Sequence, residues 1–532
     1  MEMKYAGFQK TVASAYLLLI FAALPLYMRD GFYMLADAKY LFFRSVSLIF
    51  LLLWLSGAAV ACICRWRHRG RSLGDKRREG SGTWSIHSLT DGFAICFALL
   101  SALSYLFSAY KDTALTGFSG WYMGLLTQLF LVGGYFLVSR WHEREKMVSG
   151  IVWSSVTAVC LLGVLNRMGY DPLGTYEGMD WWEWNRRYLL STVGNINWYC
   201  GYLVVAVPLL LYCFWAGEGW KRIPAGAAAF VGTAAIALQG SASGVVALGA
   251  MYAVLLLASL KELRLLLRFL ETVLLLPLFG FLAWLTRMNL ILPYDMEEIV
   301  ERIFTPLWGI PLWLLAVGAV ILRMIYGRTG KNYLEDGRAL KAVSVLAAAL
   351  GIGAVLVFAG CQISDEVWRF FGGFSFLRFD SGWGSGRGAV WTAAWKGFWH
   401  SGFTGCLYGV GPDCFARYFY EQESLALQAP ISWEEGAIYA NAHNEWLNML
   451  VNQGILGAVA YLGFFLSAFA RFWRRRGGNR RMTAGLMAVA AYLANQFFSF
   501  GQVVATPLIF LVIAVCEKEC RRTDGEKESL YG

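Results

Sequence analysis

Run after run of about 20 apolar residues, each closed off by a short polar stretch, leaves this chain few folds to choose from. A helix of that length covers the roughly 30 Å hydrocarbon layer of a bilayer while bonding its own backbone groups internally. Spans are expected at 11–28, 42–64, 90–108, 121–139, 147–166, 197–216, 222–240, 243–260, 266–286, 304–323, 341–361, 443–470, 482–500 and 503–516. The fold class is therefore all-α: a polytopic integral membrane protein of about 14 transmembrane helices with one long external loop. Composition agrees, since 532 residues with 58% hydrophobic, 15% charged and mean hydropathy +0.49 are too apolar for a soluble globular protein. The segment Thr11 to Met28, behind Lys4 and Lys10, has the charge pattern of a signal sequence. No small-x-small cleavage site follows it, so it reads as a retained first helix.

The net charge of +10 does not point to nucleic acid, because the basic residues fall in short clusters between spans. They occur at Arg65–Arg78, Arg140–Lys146, Lys221–Arg222, Lys261–Arg268, Arg323–Lys341 and Arg471–Arg481, all on one side of the span order. By the positive-inside rule that side is cytoplasmic, along with both termini. The external loops are then Arg29–Tyr40, Ala109–Gly120, Arg167–Ile196, Arg287–Arg302 and the long Gln362–Ala442. This divides the chain into an N-terminal membrane part (1–196), a second membrane part (197–361), the long loop (362–442) and a C-terminal membrane part with a cytoplasmic tail (443–532). The long loop is rich in Gly and aromatics and carries Arg378, Arg387, His400, Asp413, Arg417 and Glu421, which suits a cap over the outer face.

The richest stretch for chemistry is Ala440–Tyr461, where polar Asn441, His443, Asn444 and Glu445 run straight into an apolar helix expected to continue to about Ala470. His443 is placed in the first turn, where the positive helix end favours neutral imidazole, and the amides around Asn444 and Glu445 suit phosphate. Equally, Asn441 or Asn444 is an ordinary helix cap. Arg387 can grip phosphate through two parallel hydrogen bonds, or pair with Asp380 or Asp413. Arg417, Arg186 and Arg187 are further cations, and Trp181, Trp182 and Trp184 read as an interfacial belt. The carboxylates Asp295, Glu297, Glu298 and Glu301 have the helical spacing of a solvated face rather than a metal site. Eleven Cys show no metal-ligand spacing; Cys406 and Cys414 are either free or paired. Gly454 and Gly457 suit close helix packing, and Asn495 and Gln496 are expected to face the bundle.

Three stretches resemble the O-antigen ligase and polymerase family of envelope-glycan enzymes. These are A-H-N-E-W-L with G-I-L-G at 442–457; R-G-A-V-W from Arg387 with G-V-G-P-D-C-F at 409–415; and S-T-V-G-N-I-N-W at 191–198, with Asn195 and Asn197 in its G-N-x-N. The resemblance covers about residues 185–515, in matching order. It implies a GT-C-like, metal-independent and cofactor-free glycosyltransferase at the outer face of the cytoplasmic membrane. Such an enzyme moves a glycan from undecaprenyl diphosphate to a hydroxyl of a glycan or glycolipid acceptor, with His443 as base and Arg387 on the diphosphate. Arg186, Arg187, Asn195, Asn197, Arg417, Asn444 and Glu445 are then substrate-binding candidates. One departure is visible: Ala242 in Q-G-S-A-S-G occupies the place of a family Arg, and Arg186 and Arg187, just before the G-N-I-N motif, are candidates to supply the missing charge. The competing class is a transporter or lipid-linked-glycan flippase, which needs ionisable groups at mid-membrane and broken helices.

Overall fold

A computed structural model describes residues 2–69, 86–143, 146–179, 188–276, 337–421 and 440–531, with a few single positions between 314 and 336. Among these, eight helices are long and apolar enough to cross a membrane. Six belong to the first half: α1 (Glu2–Leu18, running on through a π turn to Leu26), α2 (Leu35–Arg69), α3 (Leu89–Phe107), α6 (Lys146–Arg167), α7 (Ile196–Ala216) and α9 (Ala242–Ser259). Between them lie the short α4 (Lys111–Thr116), the shorter apolar α5 (Leu125–Trp141) and α8 (Arg222–Leu238). Then follow α10 (Leu263–Val273), the spanning α11 (Arg338–Ile363), and the cap helices α12 (Asp365–Phe370), α13 (Trp383–His400), α14 (Gly402–Tyr408) and α15 (Phe415–Glu421). The spanning α16 (Glu445–Arg475), the shorter α17 (Met482–Asn495) and α18 (Thr506–Tyr531) close the chain.

The centre of the bundle is α7, a helix apolar on every face, which suits either lipid or the interior and here lies in the interior. Trp198 through Pro208 are buried without exception, and α8, α17 and α10 pack around it. α3 meets α16 along one face at helical spacing, with the Phe97 ring 5.1 Å from Tyr461, Ser101 Oγ donating to Gln453 Oε1 (3.3 Å) and Ser104 Oγ to the Asn452 carbonyl (2.9 Å). α11 by contrast is exposed along its whole apolar window, a surface that only lipid suits. A two-residue antiparallel hairpin, β1 (Leu189–Leu190) with β2 (Gly194–Asn195), leads into α7. Asn195 caps that helix, its side chain accepting from Asn197 N at 2.9 Å.

The structure corrects several expected boundaries. Residues 121–124 are a turn before α5, and α17 stops at Asn495, leaving 496–505 as a non-helical connection buried except at Phe497 and Phe498. The loop 362–442 is largely helical where it is described, with Val390, Ala394 and Phe398 of α13 packed on Phe415 and Phe419 of α15 and Val451 of α16. The expected unbroken helix through Gly454 is broken there, at φ +66° and ψ −175°. Spans nine and ten lie mostly outside the described residues.

The break at Gly454 has a visible cause. A Cβ on Gly454 would sit 2.3 Å from the Leu407 carbonyl carbon, and one on Gly409 2.3 Å from the backbone of Asn452. The two glycines let two backbones touch, and Val410 N and Gly411 N donate to the Val451 and Asn452 carbonyls at 3.0 Å each. Gly457 faces the Gln453 side chain of its own helix, so this pair is not a helix-packing stripe.

Candidate functional site

The connection 496–505 is the hub at which one end of the bundle converges. Glu445 fastens it twice: Glu445 N donates to the Gln496 carbonyl (2.9 Å), and Gly501 N donates to Glu445 Oε2 (2.7 Å). Held between those ties, Phe500 lies edge-on to the His443 imidazole (5.3 Å between centroids) and to Trp121 (4.5 Å). Trp121 in turn meets Trp198 of the G-N-I-N-W stretch (5.6 Å). Phe498, on the same connection, packs 6.3 Å from Trp383 and from Trp391, which stands one turn beyond Arg387 on α13. Three motifs that are far apart in sequence thus border one short segment.

His443 precedes the cap of α16 instead of sitting in its first turn. Its backbone is left-handed (φ +47°), and its N–H donates to Asn441 Oδ1 at 2.9 Å. That turn swings the ring away from the helix axis toward Phe500 and the α13 side. Burial first, and the Arg387 charge second, hold the imidazole down at about 4, so it is neutral at pH 7. Neutrality was expected; its cause is burial and a guanidinium, not the helix end. The Arg387 guanidinium is therefore near enough to His443 for its field to be felt. Its Nη1 donates to the Gly384 carbonyl (2.8 Å), which anchors the side chain at the start of α13.

The other sequence candidates separate. Asn444 is the cap of α16, its Oδ1 accepting from Trp446 N (3.0 Å) and Leu447 N (3.2 Å). With Glu445 N also bonded internally, the first-turn amides are occupied and do not offer the phosphate cradle expected of them. Glu445 is buried and holds the connection, with Asn448 Nδ2 3.4 Å away. Asn195 and Asn197 form the cap of α7 beside Trp198. Arg417 is an exposed α15 residue paired with Glu421 at 3.2 Å. Asp413 is buried and accepts from Phe118 N (2.8 Å) and Met123 N (2.9 Å), fixing the G-V-G-P-D-C-F turn onto the α4–α5 loop. Burial raises its carboxyl to about 7, against the pull of those two amides. Arg186, Arg187, Trp181, Trp182, Trp184 and the carboxylates Asp295, Glu297, Glu298 and Glu301 lie outside the described residues. Cys406 and Cys414 are free thiols, and no cluster of three or more His, Cys, Asp or Glu is gathered among the described residues.

One cation was missed. Arg167, buried at the end of α6, donates from Nη2 to the Gln239 carbonyl (2.7 Å), in the Q-G-S-A-S-G turn itself. From there Ser241 Oγ meets Ser243 Oγ (2.8 Å), Ser243 reaches Cys200 Sγ (3.5 Å), and Asn495 Nδ2 donates to that sulfur (3.3 Å). Asn495 and Gln496 thus face the bundle, as expected, and link Arg167's turn to the connection beneath His443. In sequence Arg167 was only the first residue after a span; nothing local tied it to position 242. No protein-family model matches this chain, and no curated protein is significantly similar to it.

Proposed function

We propose that this protein is an O-antigen ligase-like membrane glycosyltransferase that moves a glycan from a polyprenyl-diphosphate carrier to an acceptor hydroxyl at the external face of the cytoplasmic membrane. The observation that carries this reading is that the His443 ring packs on Phe500, while Phe498 of the same short connection packs on Trp391, one turn from Arg387, at one end of a bundle of apolar helices long enough to cross a membrane. In the reaction, His443 takes the proton of the acceptor hydroxyl as its oxygen attacks the anomeric carbon. The bond from that carbon to the diphosphate oxygen breaks, and polyprenyl diphosphate leaves with its charge offset by Arg387. Arg167, at the turn where the resembling family carries its own Arg, is the second cation for the leaving group. Glu445 and Asn444 act as positioning residues in this scheme, holding the His443 turn and Phe500 in place.

What supports an external site is that the described basic residues Arg140, Arg471 and Arg521 lie toward the end of the bundle opposite His443. Both termini are then cytoplasmic. A transporter is less well supported, because the buried charged groups of the described spans lie near helix ends: Asp91 with Arg140 and Arg521 at one end, and Lys39, Arg167 and Glu445 at the other. The test is the surface polysaccharide of a strain lacking the gene, complemented with wild type or His443→Ala. Wild type should restore the polymer and His443→Ala should not, although the variant inserts normally. Accumulated single lipid-linked repeats identify a polymerase, and accumulated long lipid-linked chains a ligase. An unchanged glycan profile in the deletion strain would refute the reading.

A further inference from the structure

We infer that the strap joining α11 to α13, residues 364–382, seats its phenylalanines in the bilayer leaflet at which α11 ends, among lipid headgroups and the first acyl carbons. The depth is set by tethering. Gln362, in the last turn of α11, donates from Nε2 to the Leu377 carbonyl (2.7 Å) and accepts from Phe379 N at Oε1 (2.8 Å). Arg378 reaches back to Asp365 at 2.5 Å. Both ends of the strap are therefore pinned to the tip of a membrane-crossing helix, and the segment between them stays at that level.

The strap is two-sided. Inward, Phe379 and Trp383 stack toward Trp391 (6.3 and 5.1 Å), and Trp383 Nε1 donates to the Phe376 carbonyl (2.9 Å). Outward, Phe370 is 83% exposed and Phe376 58%, with Phe371 and Phe374 beside them as ring partners at 5.1 and 5.4 Å. Two phenylalanines more than half exposed, with two partly exposed ones against them, would be a costly surface in water. Here they continue the apolar surface of α11, whose final residue Ile363 is 87% exposed, so the covering medium is the one that already covers α11. Exposed Arg369 lies in the same strap, where a cation suits lipid phosphate. The consequence for Arg387 rests on the proposed transfer reading: a strap floating at headgroup depth holds the start of α13 at the height of a lipid-anchored diphosphate.

The experiment replaces Phe370, and separately Phe376, by the photo-crosslinking analogue p-benzoylphenylalanine in the full chain. The protein is reconstituted in nanodiscs of radiolabelled phosphatidylethanolamine and phosphatidylglycerol and irradiated. The inference expects label on the protein several-fold above the wild-type background at both positions. Background labelling, or a crosslink to a second copy of the chain in place of lipid, would overturn it. The readout needs no glycan transfer: lipid labelling without transfer activity would leave this inference standing and count against the enzymatic reading, and the reverse result would separate them the other way.

Discussion

At the scale of residues, the account turns on two side chains and on what holds them. His443 needs no proton removed before it can act, since burial and Arg387 keep its pKa at about 4. A group whose pKa is lowered stays in its base form until pH approaches the lowered value. Transfer measured from pH 8 to 5.5 should therefore show no loss from His443 protonation, whereas a half-loss near pH 6.5 would place His443 in an ordinary aqueous setting. Arg387 is asked to bind a diphosphate through two donors at once, which a lysine ammonium cannot reproduce. Arg387→Lys should cut kcat/KM nearly as far as Arg387→Ala, by about 100-fold if one charge-assisted pair worth about 3 kcal/mol is lost. A Lys variant with wild-type kinetics would reduce Arg387 to a diffuse charge. Sequence reading singled out both residues because each stands in a short motif. It did not find Arg167, whose meaning comes from a helix end folding against a turn more than a domain half away in the chain. Of its two readings of Asn444 the structure shows the helix cap, and Glu445 accepts from Gly501 N; these internal bonds occupy polar atoms that sequence alone offered to a ligand.

At the scale of elements, the informative feature is the break in α16. Helical periodicity predicts a continuous span, and hydrophobicity alone cannot reveal that Gly454 leaves the helical region. What pins it is the approach of Gly409 and Val410 from another segment, whose amides take the carbonyls that the break releases. Gly454→Ala puts a Cβ into the Leu407 backbone and holds a non-glycine residue at φ +66°. It should lower the unfolding free energy by about 2–4 kcal/mol, read as a lower melting temperature in detergent. An unchanged melting temperature would mean the two backbones do not meet. The connection 496–505 teaches the same lesson, since F-S-F-G-Q-V-V-A is apolar enough to pass for membrane helix, and only Glu445's two bonds show it to be a fixed loop.

At the scale of the molecule, the helical class and the presence of membrane-length apolar helices were legible because a bilayer imposes one length and one polarity rule on every helix. Eight such helices stand among the described residues, with α5 and α17 as shorter apolar ones. What the pattern could not convey is how the bundle is locked at its basic end. Buried Asp91 accepts from Arg140 (3.0 Å), Arg521 (2.8 Å) and Tyr135 Oη (2.7 Å), joining α3, α5 and α18. Removing the carboxylate takes away the shared acceptor of two guanidinium groups that have little exposure. Asp91→Ala should cost about 3–5 kcal/mol of stability and leave the geometry around His443 intact in whatever protein folds. A variant as stable as wild type would show that the cluster is solvated.

The central claim is that His443 moves the acceptor proton while a lipid diphosphate departs beside it. Its most direct test uses purified protein in nanodiscs with a polyprenyl-diphosphate-linked oligosaccharide and an acceptor glycan, following acceptor extension and polyprenyl diphosphate release together. Wild type should produce both in equal amounts, and His443→Ala should produce neither while still binding the donor. Equal turnover by His443→Ala and wild type would contradict the claim.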